Sequence, residues 1–272
     1  NAQANSGVSI FADPNVRKAF VEAFDRCAAV RAQLGISNCA DPNLFTDELT
    51  APPAPDYDPS VKLPSYNPTD AARLMDRAGY PVVDGVRRTK DGRTPLRLSI
   101  DMSFTGIENQ LIGQQMQQAY VRNLKIAVTL VPASNLSIPG STSPLTAGTF
   151  DIGLVGDGVF PDPVGSLLVL LGRADAADIP SAQNPTGGNW LGVIDPLVAQ
   201  QDALGAEAID GAQRTDVYRE LQRHVARQLY MEPVYLIASV TLTRLTLCNF
   251  KKLAQGPSTW NLADWYVASS CP

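Results

Sequence analysis

The chain is predicted to be an α/β protein, a mixed β-sheet flanked by helices, on three observations. Segments with apolar residues at threes and fours alternate with segments where they fall at every second place or run together, over most of the length. Gly- and Pro-centred turn signals separate the two kinds. The 272 residues are 44% hydrophobic and 18% charged, which excludes a disordered chain, a coiled coil and a collagen and leaves enough apolar surface for one large core or two small ones.

Asp13-Pro14 offers a capping acceptor and a first-turn proline, and Val16, Ala19, Phe20, Ala23, Phe24, Cys27 and Val30 then recur helically, predicting one amphipathic helix ending near Gly35. Six prolines between Thr50 and Pro68 remove amide donors and predict an extended surface connection. Asn67-Pro68 starts a short helix carrying Ala71, Leu74, Met75 and Ala78 and closing at Gly79. Strands follow around Val82, Val83, Val86, Leu96, Leu98 and Ile100, with Asp84-Gly85 and Asp91-Gly92 as turns. Gly106 to Leu124 reads as helix and Ile126 to Val131 as strand. The apolar run Phe150 to Val155 has the length and composition of a central strand buried on both faces. Helices are predicted for Asp195 to Leu204 and Asp210 to Tyr230, then a β-branched strand for Val234 to Thr243, with a loop-like tail after Cys248.

Twenty-two basic residues stand against 27 acidic ones, a formal charge of −5. With no basic cluster longer than Arg87-Arg88, nucleic acid is not an expected partner. No apolar stretch reaches the length of a membrane span. Cys27, Cys39, Cys248 and Cys271 lack CxxC spacing and histidine neighbours, so neither a metal nor a cofactor is expected. They read as disulfides of an oxidising compartment. Three connectivities are possible, and Cys27–Cys39 with Cys248–Cys271 is favoured because each closes a short loop.

Nucleotide-binding glycine motifs, the GxSxG elbow and HExxH are all absent from the sequence. The single histidine, His224, sits beside Arg223 and Arg227 on a predicted helix and reads as a partly exposed surface residue. The expected function is therefore not enzymatic.

An ordered set of short motifs carries a resemblance. It runs from Asp13-Pro14-Asn15-Val16-Arg17-Lys18-Ala19 and Phe24-Asp25-Arg26 to Tyr66-Asn67-Pro68, Ala71 to Met75 and Ala78-Gly79-Tyr80. It continues through Asp91-Gly92, Gln114, Gln117 and Gln118, Gly148 to Asp151, Asp162-Pro163, Asn189, Asp195 to Val198, Arg214 with Tyr218, and Glu232 to Leu236. From about Asp13 to about Leu247 this resembles the second half of the family 5 extracellular solute-binding proteins, the peptide and nickel receptors of ABC importers.

The resemblance implies one lobe of a type II-like periplasmic-binding-protein fold. Residues 1–12 would be a tag remnant and lead-in, 13–247 the C-terminal ligand-binding lobe, and 248–272 a disulfide-tied tail returning toward the hinge. It implies a peptide-like or other small polar ligand, ABC permease membrane subunits and a missing N-terminal lobe of the same polypeptide as partners, and a periplasmic or lipid-anchored cell-surface location. Arg17, Asp25 and Arg26 read as structural residues.

The loop after the Phe150 strand, at the carboxyl end where α/β sheets collect ligands, supplies Asp157, Gly158, Val159, Phe160 and Asp162 as candidate contacts. Trp190 joins them because Gly187, Gly188 and Asn189 suggest an exposed loop around it. In the peptide-binding branch an aspartate just before the Asp-Pro pair holds the ligand's α-amino group; Val159 takes that place here, with Asp157 displaced. A ligand without a free amine is implied. Two readings from other classes stay open: a secreted hydrolase using Asp157 and Asp162, and a ligand-sensing or interaction domain on the same fold.

Overall fold

The computed structural model describes residues 10–35, 39–41, 44–52, 54–103, 107–133, 144, 148–156, 171–180, 184, 186–236, 242–244, 246–252 and 258–271. The first predicted helix is two. Helix α1 (Pro14–Ala23) is capped by the Asp13 carboxylate, which accepts from the Asn15 amide at 2.8 Å. At Phe24 the backbone turns extended (φ −112°, ψ 122°), which seats its ring in the core, and Asp25 caps a new helix, α2 (Arg26–Leu34), through the Ala28 amide at 2.9 Å. The apolar spacing is continuous across that break, so periodicity alone could not show it. Gly35, at φ 65°, closes α2 as a left-handed cap.

The proline-rich stretch is a surface connection only in part: Pro55, Pro59, Lys62 and Tyr66 are exposed, but the chain around its first half is anchored inside. Phe45, Thr46, Glu48, Thr50, Ala51, Ala54, Asp56 and Val61 are buried. Side chains replace the ladder hydrogen bonds that proline denies it. Thr46 Oγ1 donates to a backbone oxygen of this stretch, with Glu48 O and Thr50 O both at 3.1 Å, and Gln222 Nε2 donates to Thr50 Oγ1 and Asp56 Oδ2 at 2.6 and 2.8 Å.

Helix α3 (Pro68–Arg77) packs on α1, with Asn67 as its cap and Asp70 paired to Lys18 at 3.3 Å. Strands β1 (Val82–Val83) and β2 (Val86–Arg87) form a hairpin whose turn, Asp84-Gly85, has φ 51° and 77°, the left-handed pair such a turn needs. The buried Arg87 guanidinium donates to Leu124 O at 2.8 Å and Asp76 Oδ1 at 2.7 Å, anchoring the hairpin to neighbouring helices.

Strands β3 (Arg97–Ser103), β4 (Ala127–Ala133) and β5 (Ile152–Leu154) form a parallel sheet in the order β4-β3-β5. Antiparallel pairing among the described strands is confined to two short two-stranded sheets. Thus β3, not the Phe150 strand, is central among the described strands. Helix α4 (Ile107–Leu124) crosses from β3 to β4 and packs against the sheet. Its Gly113 makes that contact possible, because a Cβ there would lie 2.2 Å from Met102 Sδ.

A second core cluster gathers Phe150, Leu171, Trp190, Val198, Tyr218, Leu221 and Val225 around α5 (Pro196–Glu207) and α6 (Gly211–Gln228). Phe150 belongs to this cluster and Leu154 to the first, so one short segment joins both cores. The predicted strand from Val234 is not seen in its described part: Val234 to Leu236 lacks strand pairing, and the Leu236 amide donates to Leu44 O at 2.8 Å. Residues 237–241 lie outside the described set. The tail is more than a loop, since β6 (Leu247–Cys248) pairs antiparallel with β7 (Tyr266–Val267). The disulfides are Cys27–Cys39 and Cys248–Cys271, the favoured connectivity.

Candidate binding edge and the polar groups behind it

Because β3, β4 and β5 are parallel, their carboxyl ends, at Ser103, Ala133 and Leu154, lie on one edge. The chain goes from β3 to β4 on one side and then to β5 on the other, so the order reverses between β3 and β5. Such a switch point splays the outgoing connections and leaves a crevice. Val155 and Gly156 lead out of β5 there. Asp157, Gly158, Val159, Phe160 and Asp162 follow directly and lie outside the described residues.

Alternation along β3 turns Leu98, Ile100 and Met102 to the apolar core and Ser99 and Asp101 to the opposite face. Ser99 bridges two buried carboxylates, Asp151 and Asp101. Its amide donates to Asp151 Oδ2 at 2.8 Å and its hydroxyl to Asp101 Oδ2 at 2.7 Å. Burial, with the nearby Asp151 charge adding to it, raises the Asp101 pKa although the Ser99 hydrogen bond opposes the change. Neither carboxylate stands out in the sequence as a site residue. A polar residue inside the alternation Leu98, Ile100, Met102 was the available signal.

Trp190 is not displayed on an exposed loop. It is 8% exposed, packs in the second cluster and donates from Nε1 to Gly187 O at 3.0 Å. The glycines around it serve close packing: a Cβ on Gly187 would sit 2.4 Å from Asp178 O. His224 is no surface residue either, its side chain being 12% exposed. Its Nε2 lies 2.6 Å from Asp195 Oδ2, which also accepts from the Tyr230 hydroxyl at 2.7 Å. Burial pushes the Asp195 carboxyl up, but the hydrogen bonds from His224 and Tyr230 outweigh it and hold its pKa below the usual value. Burial first, and the Asp195 charge after it, push the Tyr230 phenol pKa up. Arg17 stacks over the Tyr230 ring, 5.1 Å from its centroid, and donates to Gln228 O at 2.6 Å, so the hub ties α1 to α6. Arg26 likewise donates to Thr46 O and Pro233 O at 2.8 and 2.5 Å. These arginines are structural.

Among the described residues no group of three or more His, Cys, Asp or Glu side chains is placed to hold a metal ion, and no helix is long and apolar enough to cross a membrane.

The fold has clear relatives among solved structures. The oligopeptide-binding protein AppA of Bacillus subtilis, solved with a nonapeptide, superposes with a TM-score of 0.69 at 18% identity, over 96% of this chain and 49% of that one. NikZ of Campylobacter jejuni, solved with Ni(L-His), gives 0.67 at 20% identity over 96% of this chain and 50% of that one. A periplasmic oligopeptide-binding protein of Thermotoga maritima, solved with mannohexaose, gives 0.67 at 20% identity over 83% and 41%. The chain thus spans half or less of the length of these three. No curated protein matches it in sequence. Residues 2–178 match the family profile described as bacterial extracellular solute-binding proteins, family 5 Middle. The chain belongs to the family 5 bacterial extracellular solute-binding proteins.

Proposed function

We propose that this chain is the C-terminal lobe of a solute receptor that captures a peptide-like or other small polar solute outside the cytoplasm and hands it to the permease subunits of an ABC importer, without catalysing a reaction. The observation that carries this is the carboxyl edge of the parallel sheet with its switch point between β3 and β5, in a chain whose family binds solutes. On this reading 13–247 forms one wall of the cleft, 248–272 reaches toward the other lobe, and Asp157, Gly158, Val159, Phe160 and Asp162 touch the ligand. The whole receptor would sit in the periplasm or be held at the cell surface by a lipid anchor.

One wall leaves its ligand half-exposed to water, so this chain alone should bind weakly, while the two-lobed polypeptide should retain solute through purification. Native mass spectrometry of the two-lobed protein, beside calorimetry of this chain with peptides, sugars and metal chelates, tests the reading. Micromolar or tighter binding by this chain alone would show a complete site within it. Failure of the two-lobed protein to retain or bind any solute would remove the function. A competition panel of free and N-acetylated peptides, with Asp157→Asn, addresses ligand class. With Val159 in the amine-holding place, acetylation should not weaken binding; a preference for the free amine that Asp157→Asn abolishes would make Asp157 the anchor instead.

A further inference from the structure

The two disulfides have different surroundings. Cys27 is the second residue of α2, among the amides that no preceding carbonyl satisfies, where a developing thiolate is stabilised by the helix dipole. One turn later Arg31 directs Nη2 at the bond itself, 3.5 Å from Cys27 Sγ and 4.0 Å from Cys39 Sγ. Two carboxylates stand two residues from the bond: Asp25, turned to the Ala28 amide as the cap, and Asp41 beyond Cys39. Cys27 and Cys39 are both partly exposed, so a thiol can reach them. At the other disulfide Cys248 is buried, and its sulfur faces the Thr246 carbonyl oxygen at 3.7 Å. A thiolate expelled there would be buried against an oxygen lone pair.

We propose that Cys27–Cys39 is an exchange-active disulfide, with Cys27 the departing sulfur, Arg31 its counter-ion, and a dithiol its redox partner. In the forward direction one thiolate of the dithiol attacks Cys39 Sγ. A new S–S bond forms to Cys39, the Cys27–Cys39 bond breaks, and its electron pair leaves on Cys27 beside Arg31. The second thiol of the partner gives its proton to water and attacks its own first sulfur. Cys39 then departs and takes up a proton. The partner ends as a disulfide and the protein as two cysteines, a two-electron exchange. Run backwards with an oxidised dithiol partner, the Cys39 thiolate attacks the partner disulfide and expels one of its sulfurs, and the Cys27 thiolate then attacks Cys39 Sγ and expels the other, which installs the bond.

The experiment exposes the 272-residue chain to limiting dithiothreitol at pH 7, quenches with acid, alkylates and maps the peptides over time. Cys27 and Cys39 should become alkylated on the order of tenfold faster than Cys248 and Cys271. Arg31→Gln should slow that opening several-fold, leave the Cys248–Cys271 rate unchanged, and be largely rescued by Arg31→Lys. A monothiol such as glutathione should be trapped on Cys39. Circular dichroism of each variant controls for the fold, and because Arg31 is exposed the substitutions should not change it. Opening of Cys248–Cys271 first, or at an equal rate, would overturn the proposal. So would indifference to Arg31→Gln, or glutathione found on Cys27.

Discussion

Glu48 gives the sharpest stability test, because a carboxylate is buried there with half its hydrogen bonding unmet. The residue is 3% exposed; Oε1 accepts from the Asp58 amide at 2.7 Å, and Oε2 is buried with no hydrogen-bond partner among the described residues. Burial, reinforced by the charges of Asp58 and Asp56, raises its pKa from 4.5 to about 8. The folded state therefore holds a proton that the unfolded chain releases near pH 4.5. Its stabilising contribution is complete below that value and is lost as pH rises through about 8.

Glu48→Gln keeps the shape, lets an amide oxygen accept from Asp58, and removes the ionisation. Between pH 5 and 8, at about 1.4 kcal/mol per pH unit, the stability difference between variant and wild type should move by about 3.5 kcal/mol in the variant's favour. Urea unfolding of both proteins at pH 5, 6, 7 and 8 reads this directly. Burial also raises Glu232 to about 8, but that residue is present in both proteins and cancels in the difference. Parallel stability curves, with a difference constant to about 0.5 kcal/mol, would refute the assignment of a neutral Glu48.

Gly205→Ala should destabilise by about 1–3 kcal/mol through overpacking, and Tyr218→Leu should recover part of the loss, because the new Cβ would stand 2.5 Å from the fully buried Tyr218 ring. Thermal melts of the double-mutant cycle check it. Asp195→Ala strips His224 and Tyr230 of a shared acceptor and α5 of its cap, so a loss of about 2–4 kcal/mol is expected by denaturant titration, with Asp195→Asn milder. Reducing both disulfides should cost about 3 kcal/mol each by the loop-closure estimate, read as a lower melting temperature in reductant.

What could be read from the sequence was local. Asp13-Pro14, Asn67-Pro68 and Asp195-Pro196 each marked a helix start because cap and proline act within four residues, and Asp84-Gly85 marked a hairpin because only certain residues tolerate its backbone. Where burial was misread, the cause was a distant partner. Six prolines forbid regular structure but say nothing about burial; Gln222, some 170 positions away, supplies the donor that lets Thr50 and Asp56 go inside. His224 looked like a surface residue because its neighbours Arg223 and Arg227 are charged, while the acceptor that draws it inward, Asp195, belongs to another helix cap.

The same distinction applies to the binding edge. That a strand would run through Phe150 to Val155 followed from its apolar residues, but which strand sits at the centre depends on pairing order, and pairing order leaves no trace in any one strand's composition. The order β4-β3-β5 is what creates the switch point, and it also explains why Ser99, Asp101 and Asp151 meet: Asp101 pairs in register with Gly153, two residues beyond Asp151. Both carboxylates are buried, and Asp151 stands just before the amino end of β5, so the pair belongs to the interior of the sheet.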